Sequence, residues 1–145
     1  MDLAARSAAV VARLNTVNAA PPARALLDVF LGEPVANLDS DQRAHPYAAV
    51  YPSPGHHDPA AAPLTDVADL LTWTFQVTAA GGDADRCMRA TGRVLAVLLG
   101  WRLEATADPV RLEFDPGPMR VDRDVSPSRC YIPLLFTAPL ANTTA

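Results

Sequence analysis

Apolar positions recur along this chain with two different periods, and the switches between them outline its elements. Over residues 2–17, Leu3, Val10, Leu14 and Val17 fall at helical spacing with Val11 beside them, so the pattern predicts a helix. Asp2 stands at its start as an N-cap, Arg6 and Arg13 lie seven apart on another face, and Pro21-Pro22 cannot continue it. The run RALLDVFLG, residues 24–32, is short and apolar, and fits a strand or one more helical turn equally well. Between Pro46 and Pro52, the residues Tyr47, Val50 and Tyr51 favour β structure and predict a short strand. Residues 52–65 hold four prolines and one glycine and read as a loop, mobile until something binds it.

The clearest strand is residues 66–79. Leu71, Trp73, Phe75 and Val77 share one face, and Thr72, Thr74, Gln76 and Thr78 the other, which suits an antiparallel sheet with one buried and one polar face. After Gly81-Gly82 the period changes again, predicting a helix from 83 to about 99. Cys87, Thr91, Val94, Leu95 and Leu98 lie on one side of it, and Arg86, Arg89 and Arg93 on the opposite side. Gly82 or Asp83 caps it and Gly100 ends it. The last third alternates again. DPVRLEFDPGPMRVDRD reads as a hairpin turning at 115–118, and Cys130, Ile132, Leu134 and Phe136 line one face of a final strand. Pro133 removes a backbone donor there, so that strand is expected at an edge or beside a bulge. The expected whole is one α+β domain over residues 1–145. A mostly antiparallel or mixed sheet carries two helices, about 2–17 and 83–99, and a short flexible tail follows at about 139–145.

Composition narrows the function more than the fold. All 12 basic residues are arginine, 13 of the 16 acids are aspartate, and the formal net charge of −4 argues against a general DNA-coating role. Asp2 and Arg13 break a signal-peptide layout and no apolar run nears the ~20 residues of a membrane helix, so a protein made in the cytoplasm and without a membrane partner is expected. Cys87 and Cys130 match no zinc or redox spacing and read as buried thiols.

A strand, two glycines and a helix together raise the question of a phosphate cradle. The helix begins Asp83-Ala84-Asp85, however, and carboxylates at the positive end of the helix dipole stabilise it while repelling phosphate. The reading is a glycine corner with an acidic cap. His56-His57-Asp58 are adjacent in sequence, and adjacent residues rarely converge on one metal. No serine elbow, acid–base carboxylate pair or catalytic cysteine is legible, so no enzyme, cofactor or metal is expected. The stripe Arg86, Arg89, Arg93 is the notable polar feature: either a solvated helix face or a contact surface whose partners are aspartates on a neighbouring copy.

Four stretches carry a resemblance. They are the N-terminal helix, HPYAAVYPSPG, DLLTWTFQVTAAGGDADRCMRATGRVLAVLLGW and DPGPMRVDRDVSPSRCYIPLLFTA, of which WTFQVT followed by AGGD, an arginine-bearing helix and a closing GW is strongest. Over residues 1 to about 138 the chain resembles the tail terminator proteins of long, non-contractile-tailed phages of actinobacteria. The resemblance implies a virion protein at the head–tail junction: a homohexameric ring that caps the tail tube, stops its polymerisation and offers a surface to the head. The implied partners are further copies of itself, the major tail tube protein and a head-completion or neck protein. DNA passes through the lumen without sequence-specific binding. Neck proteins of the same virions, similar in size and fold, are the alternative. On this reading the 52–65 loop with His56, His57 and Asp58, and the stripe Arg86, Arg89 and Arg93, take part in assembly.

Overall fold

A computed structural model describes residues 2–19, 26–35, 37–54, 56–57 and 70–141. Helix α1 (Leu3–Asn15) starts where the Asp2 carboxylate accepts the Ala5 N–H at 2.7 Å. Its buried side is Arg6, Ser7, Val10 and Leu14, whereas Leu3 is left largely exposed. Arg13 reaches across to donate to the Val97 carbonyl at 2.8 Å with its guanidinium over the Trp101 ring. A 3-10 turn (Thr16–Asn18) closes the helix. There the Asn18 amide accepts from the N–H groups of Leu26 and Leu27 and donates to the Leu27 carbonyl, fixing the point where the next element begins. That element is strand β1 (Asp28–Leu31), which settles the ambiguous 24–32 run: it pairs in parallel with β2 (Tyr47–Pro52).

Strand β3 (His56–His57) pairs antiparallel with β4 (Leu70–Gly81), so the segment read as one loop over 52–65 contains two residues of sheet; residues 58–69 lie outside the described set, as does the expected role of Asp58. Helix α2 (Ala84–Leu98) follows, and then β5 (Arg111–Leu112), β6 (Arg120–Asp122) and β7 (Arg129–Ala141). The strands form a mixed sheet in the order β1-β2-β4-β7-β5, with β3 beside β4 and β6 beside β7. The expected α+β architecture is what forms.

Two expectations are corrected. The 110–122 segment is not a hairpin, because β5 and β6 both pair with β7 and not with each other. Glu113 N–H donates to Leu135 at 2.8 Å, and the chain rejoins β7 where Arg120 faces Tyr131, so the Asp115-Pro116-Gly117-Pro118 turn is an outward excursion within one edge strand. Backbone groups alternate sides along a strand, so Leu135 and Pro133 face this same edge. The missing N–H of Pro133 therefore points at the gap that the excursion leaves, where no ladder bond is lost. The second correction is at the C-terminus: β7 stays paired with β4 through Ala141, so 139–141 belong to the sheet rather than to a tail.

Both helices pack on one face of the sheet. Val10 and Leu14 of α1 and Cys87, Ala90, Val94 and Leu98 of α2 share a core with Trp73, Phe75, Val77, Ile132, Leu134 and Phe136. Phe75 stacks on Phe136 across the β4–β7 pair, centroids 5.4 Å apart, and the Trp73 indole donates to the Ser53 carbonyl at 2.8 Å. Full burial of each such ring contributes roughly 1.5–3 kcal/mol. The opposite face presents Thr72, Thr74, Gln76 and Thr78, partly exposed, and among the described residues no helix covers it.

Candidate functional site

The Gly81-Gly82 corner is a packing device. Neither glycine has a positive φ. A Cβ on Gly81 would lie 2.5 Å from the Arg86 Cβ and 2.7 Å from the Cys87 nitrogen, and one on Gly82 would lie 2.5 Å from the Ala44 nitrogen. The corner is thus bare because helix α2 closes over one glycine and the 39–46 loop crosses the other, where Gly82 N–H donates to the Ala44 carbonyl at 2.8 Å. The Asp83 side chain accepts the Arg86 N–H at 2.8 Å and occupies the helix N-terminus, as the acidic cap required.

The crossing loop meets the arginine stripe. Within it, Asp39 accepts the N–H groups of Asp41 and Arg43 in a tight turn that carries Gln42 at φ 61°. Its other oxygen receives Nε of Arg86 at 2.6 Å, while Asp41 lies 3.2 Å from the same guanidinium and Asp83 bonds its remaining nitrogen. Arg86 is therefore held between three carboxylates of its own chain. Burial pushes the Asp39 pKa up, but the Arg43 N–H, the Arg86 guanidinium and the Asp41 N–H overcome this and hold it below the usual carboxylate value. Asp83 is held down first by the Arg86 N–H, against burial, and then by the Arg86 charge. Arg86 is in turn held more firmly protonated, first by its bond to Asp39, with burial opposing and Asp83 assisting.

The other two arginines differ. Arg89 makes an exposed pair with Asp85 at 3.0 Å, of a kind worth about 0.3–0.5 kcal/mol. Arg93 is half-buried and donates to the Leu26 carbonyl; burial, and then the charge of Arg89, push its pKa down. Together the three arginines line a cleft of about 380 Å³ with Leu26, Asp39, His45, Pro46 and Asp85. His45 Nδ1 stands 3.5 Å from the Asp28 carboxylate, which also accepts from Asn37. The structure thus brings Arg86, Arg89 and Arg93 to one cleft but assigns them different work. Asp39 and Asp41 were not singled out in the sequence. Their only local signal is turn chemistry, and nothing local says that the turn closes on a residue 47 positions away. His56 and His57 lie at the far end of β4, in register with Thr72 and Leu71 and apart from this cleft. Among the described residues, no three His, Cys, Asp or Glu side chains are grouped to hold a metal, and no helix is long and apolar enough to cross a membrane.

No sequence family and no curated protein matches the chain. Its fold has a counterpart. The structure is similar to a chain of the virion of native gene transfer agent (GTA) particle, with a TM-score of 0.56, 15% identity and 93% of each chain covered. With 93% of each chain covered, the likeness is one of fold along nearly the whole chain and not of a shared half.

Proposed function

We propose that this chain is a structural protein of a phage-type virion, and within it the tail terminator: a ring that caps the tail tube, stops its growth and receives the head. The observation that carries the reading is the fold likeness over 93% of both chains to a component of a virion particle. The motif resemblance of residues 1 to about 138 narrows it to the terminator. A ring requires two different patches that meet head to tail. The Thr/Gln face and the edges at β1 and β5, left open among the described residues, and the cleft beside α2 supply surfaces for that. The net charge of −4 suits a lumen through which DNA slides without adhering.

Electron microscopy of particles made when the gene is silenced in its genome tests this. Overlong headless tubes beside filled heads are the expected result. Tails of normal length beside unjoined or leaking heads would replace the terminator with a neck protein, and intact infectious particles would refute both.

A further inference from the structure

We propose that the cleft beside α2 receives the knob Glu113-Phe114-Asp115 of a second copy of this chain. The inference deepens the ring reading and rests on it. The cleft has an unmet demand. Arg86 is fully engaged by Asp39, Asp41 and Asp83, so it is not available to a partner. Arg93, half-buried, has a carbonyl as its bonded acceptor and no carboxylate among the described residues. A guanidinium partly withdrawn from water without a counter-charge is a receptor for one. Arg89 beside it is tied only to exposed Asp85, and Leu26 and Pro46 add an apolar wall. The volume of about 380 Å³ lies within the range that encloses ligand groups, roughly 300–1,000 Å³.

The knob is the complementary object. Phe114 is 66% exposed, and Glu113 and Asp115 on either side of it are exposed and form no ion pair among the described residues. Its base is bonded to β7 through Glu113 N–H, and Pro116, Gly117 (φ 74°) and Pro118 stiffen its tip. An aromatic anchor on a rigid protrusion loses little entropy on docking. Carboxylates would meet Arg89 and Arg93, and the ring would meet Leu26, Pro46 and the guanidinium faces. The cleft sits beside the starts of β1 and β2, and the knob on the β5 edge at the other side of the sheet. One chain cannot join the two, so the contact is heterologous, the kind that builds a ring when its rotation closes.

The test is sedimentation of the full chain over a concentration series, with circular dichroism confirming that each variant is folded. Wild type is expected to self-associate. R89E/R93E and E113R/D115R should each weaken association by roughly a hundredfold, the loss typical of a broken interfacial charge pair. The four-fold variant, with both signs reversed, should recover it. Because Arg93 also supports Leu26, R89E alone and Phe114→Ala, both at exposed positions, serve as variants whose folding is not in question; each should weaken association. Association of all variants equal to wild type, no recovery in the four-fold variant, or a wild type that never associates overturns the contact. Rings that form despite the reversals would leave the terminator reading standing, since gene silencing decides that separately.

Discussion

Two alanine substitutions in one helix–corner unit should move stability in opposite directions. At Gly81 an added Cβ would sit 2.5 Å from the Arg86 Cβ, 2.6 Å from the Arg86 carbonyl carbon and 2.7 Å from the Cys87 nitrogen. Comfortable carbon contacts are about 3.5–4.0 Å, so the first turn of α2 must retreat by roughly 1 Å. Those atoms are backbone or the root of a side chain, so no rotamer change relieves the overlap. Moving the turn also disturbs Arg86, which Asp39 and Asp83 hold, and Cys87, which packs in the core. Overpacking of this kind costs about 1–3 kcal/mol. Gly92, in the same helix, is exposed, and a Cβ there meets nothing within 4 Å. Gly92→Ala should therefore gain about 0.8–1.0 kcal/mol from helix propensity alone. Urea unfolding of the two variants and wild type gives both numbers from midpoints at constant slope. A Gly81→Ala protein with the midpoint of wild type would refute the close-approach account of the corner. A Gly92→Ala protein less stable than wild type would show that the outer face of α2 is not free.

The remaining expectations concern titration and thiols. Asp39 and Asp83 both ionise more readily in the folded state, so their contribution is fully present above the ordinary aspartate range and is lost as pH falls through their lowered values. Stability should decline on that acid limb, and Arg86→Met should flatten the decline; an unchanged acid profile would mean the cluster does not hold the 39–46 loop. Burial first, and then the neighbouring Cys130, push the Cys87 thiol up to about 11, while Cys130 is only half-buried. A maleimide at mildly alkaline pH should label Cys130 first and Cys87 at the rate of unfolding, as peptide mapping over time would reveal; early labelling at Cys87 would contradict its placement in the core.

Much of the layer structure was legible along the chain because helix and strand periods are local properties. Trp73, Phe75 and Val77 alternate with Thr74, Gln76 and Thr78, and the structure buries the first set and leaves the second partly exposed. Asp2 and Asp83 cap the helices that follow them, since a short side chain next to free N–H groups acts within one turn. The turn at 115–118 was legible as a turn, but its partner was not. Turn residues specify a change of direction, and whether the return strand pairs with the outgoing one or with a third strand depends on which offers the longer register. Strand β7, already paired with β4 along twelve residues from Leu70↔Ala141 to Gly81↔Cys130, offered it.

The same division runs through the candidate site. The sequence by itself determined that three arginines share a helix face, that the glycine corner carries an acidic cap, and that the chain folds as helices on a largely antiparallel sheet. Only the tertiary structure decided that Arg86 is consumed by Asp39, Asp41 and Asp83 while Arg93 bonds a backbone carbonyl and meets no carboxylate among the described residues. The reason is that helical spacing fixes where a side chain points but not what the fold brings against it. Asp39 reaches Arg86 only because the sheet aligns β2 beside β4 and carries the preceding loop across the bare backbone of Gly82.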